Sequence, residues 1–550
     1  MSRGKSKGCF ATFVERKSPA LYTALKMHDR SSHSTGKKRL KYLCSTLIGR
    51  LDAATGEIVP TDGRGHKKTE PAVQPKQGPI PISHTDRRFF GATYLFDRIS
   101  EKIGVTADLK QCFPKDYKKI LSIVYYLIFE DANLLCRFGR WSRIHRHPFS
   151  TDITSQRSSE LFASVTEEAK SQFFCLQGKR RVEKEFWAYD STSISSYSEH
   201  LQQVRYGKNK DYDPLHQINL ALLFGKKSNL PFYYRKLAGN IPNVKTVREL
   251  VKELNILGYE RIKLVMDRGF YSAGNINELF KNHYKFIVSA STALSYAKAA
   301  IKKQGTLMRS WQNYSEKYEL YYYSESIAWD YTQERLYKGD AIKGSKRMYL
   351  HFYYNPEKAI EDGKNFNRYM SKLQNELLTG KHFSEHEAAY KKYFETKETP
   401  IRGIQIAPRQ GAMDEARSRC GCFLLLSNEV KDAIPTLELY RNRDVVEKAF
   451  GNLKERLNGR RTLVSSNQSP EGKLFVEFIA LIYLSYIKKK MEEKDLFKKY
   501  TLQSLLDELD VIECYEEPGK AVIVGEILRK QVQIYEDLGV GAPVDETSLD

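Results

Sequence analysis

Apolar residues recur at three- and four-residue spacing through three stretches between Gly91 and about Gly178: GATYLFDRISEKIG, DYKKILSIVYYLIF and SQRSSELFASVTEEAKSQFF. That period lays an apolar stripe along a helix, so the region predicts a compact helical module. From Glu185 to Ala290 the pattern changes to short apolar runs alternating with amphipathic segments. EFWAYDSTSIS, HQINLALLFG, LPFYYRKLAG, RIKLVMD and KFIVSA predict strands, and TVRELVKELNILG and AGNINELFKNH predict helices. Neighbouring strands, a helical crossover and further apolar strands describe an α/β sheet.

Residues 291–419 break this rhythm with aromatic, strand-like stretches (YELYYYSESIAWDYTQERLY, RMYLHFYYNPE) and one charged helical segment, KAIEDGKNFNRYMSKLQNELL. CFLLLSN at 422–428 resumes the strand pattern, so 291–419 reads as an insertion into the sheet. GKLFVEFIALIYLSYIKKKMEE then predicts an apolar helix closing the core, LQSLLDELD and GEILRKQVQIYEDLG predict helices, and GVGAPVDETSLD is expected to be disordered. Near the other end, two short runs around AATGE between Gly36 and Pro60 predict a hairpin, and 61–82 reads as a loop or linker. The resulting division is a β-rich and linker region at 1–85, a helical domain at 86–182, sheet-forming parts at 183–290 and 420–490 around the insertion at 291–419, and a helical C-terminal region at 491–550.

The stretch Tyr440 to Leu457, YRNRDVVEKAFGNLKERL, predicts one helix with two opposed faces. At about 100° per residue, Tyr440, Arg443, Glu447 and Lys454 fall in a stripe roughly 60° wide, and Val446, Phe450, Leu453 and Leu457 form the face a helix buries. A solvated face of charge pairs accounts for that stripe when it is taken alone. Two upstream aspartates change the weighing: Asp190 on the first strand of the sheet, and Asp267 at the carboxyl end of the fourth, where open α/β sheets place their chemistry. Each alone is weak, since Asp190 before Ser191 and Thr192 suits a turn or cap, and Asp267 before Arg268 and Gly269 suits a strand end. Two carboxylates on strands and one on a later helix can converge on a pair of divalent cations for in-line phosphoryl displacement. Oxygen ligands and a phosphate substrate favour magnesium, with manganese as a substitute.

Composition points to a compatible partner. Lys and Arg number 89 against 67 Asp and Glu, a net charge of +22 over 550 residues, which favours a polyanion such as nucleic acid. The 35 tyrosines suit contacts that join an apolar ring to a hydroxyl at a phosphate. The apolar runs Ile120–Phe129 and Leu474–Ile487 are shorter than the roughly 18 residues of a membrane span, and MSRGKSKGCFATF has no secretory pattern, so a cytoplasmic protein without a membrane partner is expected. Eight scattered cysteines suggest neither a disulfide framework nor a zinc site. His145 and His147, in the basic aromatic segment WSRIHRHPFS, read as structural or phosphate-proximal rather than as metal ligands.

The spacing of Tyr440, Arg443, Glu447 and Lys454, together with YDSTSIS, QINLAL, MDRGFYS and GATYLFDRISEKIG, resembles the DDE transposases of bacterial insertion sequences. The likeness is to the subgroup with a Tyr, Arg, Glu, Lys signature, and to its large members with an insertion between the second Asp and the Glu. A chance match to four fixed residues in such a chain is on the order of one per cent. The resemblance covers roughly residues 90 to 490. It implies an α/β fold with an RNase H-like catalytic core interrupted by a mainly β insertion domain, and with the helical domain at 86–182 binding DNA ends. It also implies that Asp190, Asp267 and Glu447 are the catalytic, metal-binding triad, holding two magnesium ions per active site. Tyr440, Arg443 and Lys454 would contact DNA, with Arg268 a further contact beside Asp267.

The partners implied are double-stranded DNA, as element ends and as target, and further copies of the chain in a homodimer or higher oligomer working in the bacterial nucleoid. Trp311 and Trp329 read as core residues, with stacking on a flipped base the lesser alternative. Two other functions remain open at this point: an RNase H-like nuclease that cuts without joining, and a catalytically silent descendant that binds DNA.

Overall fold

The computed structural model describes residues 21–28, 41–51, 55, 58–60, 86–130, 134–180, 185–196, 204–207, 215–259, 262–334, 341–399, 403–457, 461–462, 469–517 and 521–544. The chain divides into two units, Met1–Ser83 and His84–Asp550. In the first, strands Leu21–His28, Lys41–Leu51 and Ile58–Pro60 form an antiparallel sheet in that order. Its second and third strands are the hairpin expected around AATGE. The linker expected at 61–82 and the last six residues of the expected disordered tail lie outside the described residues.

The second unit is built on a mixed sheet. β1 (Trp187–Ser196) pairs antiparallel with β2 (Gln217–Gly225), and β2 pairs antiparallel with β3 (Pro231–Ala238). After helix α1 (Asn243–Ile256), β4 (Lys263–Met266) lies parallel to β1. After α2 (Ala273–Lys281), β5 (Lys285–Ala290) lies parallel to β4. The order β3-β2-β1-β4-β5, three parallel strands flanked by an antiparallel pair, is consistent with the expected RNase H-like core. β1, β2 and β4 are buried along nearly their whole length, as strands are when both faces of a sheet are covered.

The insertion continues this sheet. β6 (Leu320–Glu334) and β7 (Ala341–Tyr354) form a long antiparallel ribbon, helix α3 (Pro356–Leu378) follows, and β8 (Cys422–Ser427) fits antiparallel between β7 and β5. The short strand Tyr314–Ser315 lies at the β6 edge, and Arg461–Thr462 pairs with β1. The expectation of a mainly β insertion is corrected. Besides α3, its described residues include helices Ser295–Met308, Glu387–Tyr393 and Gln410–Arg417, with one further hairpin, Phe394–Thr399 and Gly403–Pro408. The density of aromatic residues drew the reading toward strands, whereas SYAKAAIKK is rich in Ala and Lys, which favour helix. Met370, Leu373, Leu377, Tyr390, Phe394 and Met413 give this part a small core of its own.

β8 leads into α4 (Ala433–Arg441), α5 (Asp444–Gly451) and the 25-residue α6 (Ser469–Glu493). Every residue of α6 from Phe475 to Ile487 is buried. A helix apolar all round must be covered all round, and α6 packs against helices Tyr117–Phe129 and Ser155–Ala163 and against β3. The segments 86–182 and 491–550 are joined: strand Asp86–Phe89 pairs antiparallel with Glu513–Glu516, and helix Gly91–Ile103 packs on helix Leu502–Asp510. Among the described residues, no helix is long and apolar enough to cross a membrane.

Candidate active site

The parallel register of β1 and β4 pairs Tyr189 with Met266. One step further along, Asp190 and Asp267 therefore stand side by side, on strands whose spacing is about 5 Å. Asp190 is buried, and its carboxylate accepts the N–H of Ser191 at 2.7 Å. Asp267 follows the last residue of β4 and opens a one-turn 3-10 helix, Arg268–Phe270. This turn is held from behind by the Asn275 amide, which donates to the carbonyls of Phe270 at 2.8 Å and Val244 at 2.7 Å.

The third carboxylate arrives from the far side of the insertion. α4 packs against β4 and β5 and brings Tyr440, in its last turn, over the strand ends. The Tyr440 hydroxyl donates to Asp267 Oδ1 at 2.9 Å. The Arg443 guanidinium then spans two carboxylates: Nη1 lies 3.0 Å from Asp267 Oδ1, and Nη2 donates to Glu447 Oε1 at 2.8 Å. The same guanidinium lies 5.2 Å from the centre of the Tyr440 ring. Arg443 is only 13% exposed, against 44% for Asp267 and 55% for Glu447, so it forms the floor beneath two accessible carboxylates.

The charges are strongly coupled. Burial works against ionisation of Asp267, but Arg443, the Arg268 N–H and the Tyr440 hydroxyl outweigh it and hold the carboxyl below its ordinary range. Burial opposes the charge of Arg443 as well, and the Tyr440 oxygen, Asp267 and Asp190 outweigh it to keep the guanidinium charged. Burial raises the Tyr440 phenol to about 12, with Asp267 adding to the rise and Arg443 opposing it.

The single helix expected from Tyr440 to Leu457 is corrected. The hydrogen bond of Asn442 to Glu438 is the last regular one of α4, after which Arg443 bonds to Tyr440 and Val446 to Arg443, a tighter i−3 pattern. After Gly451 the backbone widens into a π-turn, Asn452–Arg456, closed by Leu457 N–H to Asn452 O. These two departures rotate the stretch out of a 3.6-residue register. Lys454 falls in the π-turn and is 9% exposed. Arg268 is exposed on the turn after Asp267.

All three carboxylates offer oxygen donors, the chemistry that suits magnesium. Their arrangement does not fit a bound metal as it stands: no group of three His, Cys, Asp or Glu side chains among the described residues is placed to hold a metal ion. The cation between Asp267 and Glu447 is Arg443.

A family profile described as "Transposase DDE domain" matches residues 183–483, more than half of the chain. The chain belongs to that family. A comparison with curated proteins gives no match. Among solved structures, a cryo-EM structure of piggyBac transposase in a synaptic complex with hairpin DNA is similar over 75% of this chain and 70% of that one, at 11% identity and a TM-score of 0.32.

The matched region of this DDE transposase begins just before β1 and ends within α6, so it includes Asp190, Asp267, Glu447 and the whole insertion. Sequence reasoning passed over Lys226, at the β2–β3 turn. Its Nζ is buried and has no hydrogen-bond partner among the described residues. Burial, with the Arg443 charge adding and Asp444 opposing, brings its pKa down to about 7. A lone lysine in FGKKSN carries no pattern that would single it out.

Two further readings of this transposase chain divide. Trp329 is packed against the core and its indole N–H donates to Asn277 Oδ1 at 2.8 Å, as a core tryptophan should. Trp311 is 79% exposed, stacked on Tyr314 at 5.3 Å, and the core reading of it is corrected: it sits on a 3-10 turn outside the sheet's edge strand. His145 is buried between the Trp141 carbonyl at 2.9 Å and Asp510 at 3.1 Å, and His147 lies 2.9 Å from Ser122 Oγ, with burial bringing it down to about 4. Both histidines join elements of the helical part to one another.

Proposed function

We propose that this chain is a cut-and-paste DNA transposase of the bacterial insertion-sequence type with the Tyr, Arg, Glu, Lys signature. It binds the ends of its mobile element, cleaves a phosphodiester there and joins the exposed 3′-hydroxyl to target DNA, working in the nucleoid as a dimer or larger assembly of itself. The observation that supports this reading is that Asp190 and Asp267 stand side by side on adjacent parallel strands, with Arg443 tying Glu447 to Asp267 from across the insertion. The net charge of +22 supports a polyanionic substrate. Tyr440, Arg443 and Arg268 are the groups proposed to meet DNA phosphates near the cleaved strand, Arg443 as a bidentate donor. Lys454, in the π-turn, is proposed as a further DNA contact.

The proposal includes a magnesium requirement, with manganese substituting and Asp190, Asp267 and Glu447 as ligands, an arrangement that needs Arg443 to move first. The Arg443 bridge also favours a second reading, a silent DNA-binding descendant whose carboxylates serve only as ion-pair partners. One experiment separates the two. A labelled linear duplex carrying the inverted repeats that flank the coding sequence is incubated with wild type and with Glu447→Gln, in magnesium and in chelator. Magnesium-dependent cuts at the repeat boundary and strand-joined products, both lost in the variant, establish the enzyme. Equal binding by both proteins without cutting establishes the silent reading, and cutting without joined products establishes a nuclease.

A further inference from the structure

Arg443 stands where the proposed chemistry asks for a metal. Its two terminal nitrogens each take one carboxylate, Asp267 at 3.0 Å and Glu447 at 2.8 Å, and these residues come from opposite sides of the insertion. The side chain is 13% exposed and its Nε has no hydrogen-bond partner among the described residues, so the guanidinium is held there by its two carboxylates and by Tyr440 rather than by a full set of bonds. A divalent ion seated between the same oxygens would lie within a few ångströms of a fixed positive charge in a half-buried place, where repulsion is poorly screened. Metal and guanidinium therefore compete for Asp267 and Glu447.

A phosphodiester is the group best suited to draw the guanidinium off, because it offers the same bidentate pair of oxygens in exchange. Arg443 stands at the joint between α4 and α5, where i−3 hydrogen bonds replace i−4, and not inside either helix.

We infer that Arg443 is a latch that keeps divalent metal out of the free protein and is released by a DNA phosphate, so that the metal site is completed only on bound DNA. This rests on the transposase reading above and adds to it an order of events, DNA before metal. Thermodynamic reciprocity gives it a second face: whatever factor DNA adds to metal affinity, metal adds to DNA affinity.

The test is equilibrium binding of manganese, read by electron paramagnetic resonance of the free ion, with no turnover involved. The DNA is a duplex already ending at the repeat boundary, so that no bond is left to cut. Wild type alone is expected to bind manganese weakly and to gain roughly tenfold in affinity with the duplex, within the usual range of such couplings. Arg443→Gln without DNA is expected to show about the same gain, and the further change Asp267→Asn to abolish it. Arg443→Lys, which keeps the charge but can engage only one carboxylate well, should fall between, and provides a second variant if the glutamine protein does not fold. The wild-type arm alone decides against the latch if manganese binds free and DNA-bound protein equally, or binds neither.

The latch is also overturned if Arg443→Gln, or Arg443→Lys where the glutamine protein does not fold, retains the full gain on adding DNA. Magnesium-dependent cutting with unchanged manganese binding in the variant removes the latch and leaves the transposase standing. Failure to cut any repeat substrate removes the transposase reading, while the titration of the free proteins still reports whether Arg443 excludes metal.

Discussion

Two aspartates among the described residues accept a hydrogen bond from a tyrosine hydroxyl, yet their carboxyls shift in opposite directions. Tyr440 donates to Asp267 at the sheet end, and Tyr125 donates to Asp97 at 2.6 Å in the helical region. Asp267 is held below its ordinary range, whereas burial raises Asp97 to about 6 despite Tyr125. A tyrosine hydroxyl stabilises a carboxylate by a similar modest amount in either place, so the sign is set by what else is near. At Asp267 a guanidinium lies 3.0 Å away, whereas Asp97 sits among Tyr125, Phe96 and Tyr483 beneath α6. At Asp267 the neighbouring groups keep the charge available, whereas at Asp97 partial burial beside aromatic rings outweighs them.

The largest effect that bears on this contrast is catalytic. Asp267→Asn keeps the size of the side chain and removes the charge, and is expected to lower cutting of repeat-bearing DNA by about 10³-fold or more, as loss of an electrostatic group at a reacting phosphate does. The thermal midpoint should change little, because Asp267 is 44% exposed. Cutting at the wild-type rate would mean that this carboxylate is no more functional than Asp97.

The helical region should respond in stability instead. Phe475 is fully buried in α6, in edge-on contact with Phe173. Phe475→Ala is expected to cost about 3–5 kcal/mol in urea unfolding, whereas Glu447→Ala, at a 55% exposed position, should cost under about 1 kcal/mol. Similar costs at the two positions would erase the distinction between a site and a core.

A pH series sharpens the contrast further. Since the folded pKa of Asp97, about 6, lies above that of a free aspartate, the folded state holds the extra proton between about pH 4 and 6. Its contribution is fully present below the unfolded pKa and is lost as pH rises through the folded value. The expected loss is about 2 kcal/mol across that window, visible as a falling denaturation midpoint that Asp97→Asn flattens. Asp267 has the reverse sign: its contribution is present above the unfolded pKa and fades as pH falls through the lowered folded value. A wild-type midpoint that does not fall between pH 4 and 6, or falls equally in Asp97→Asn, would sink the assignment.

The sheet and both strand-borne aspartates were legible in sequence because each depends on a local pattern. β1 to β5 and β8 begin and end within a few residues of the apolar runs that mark them, and Asp190 and Asp267 follow from position on those runs. What was not legible depends on backbone geometry or distant partners. A periodic stripe assumes 3.6 residues per turn throughout, so neither the tight joint at Asn442 nor the π-turn that contains Lys454 leaves a trace in residue types. Pairing of Asp86–Phe89 with Glu513–Glu516 joins segments more than 400 residues apart and follows from no local signal. Arg443 was singled out as a contact for DNA; that it first serves two carboxylates emerges only when α4 and α5 are laid over the strand ends.

The smallest expected effect tests the opening comparison most directly. Tyr440→Phe removes one hydrogen bond to Asp267, worth about 1 kcal/mol, and leaves Arg443 in place. The Asp267 carboxyl should rise but remain below its ordinary value, because the guanidinium is the larger of the two stabilising influences. Tyr125→Phe should raise Asp97 as well, and there the shift starts from an already elevated value that the charges of Arg146 and Arg98 oppose. Carbon-13 NMR titration of the aspartate carboxyls, in chelator so that no metal intervenes, follows both residues in one experiment. If Tyr440→Phe carries Asp267 above the value of a free aspartate, then the hydroxyl and not the guanidinium holds the carboxylate, and the difference between the two regions reduces to the quality of one hydrogen bond. If Asp267 stays low, the charge of Arg443 is what separates them, which is also the property that lets it compete with a metal.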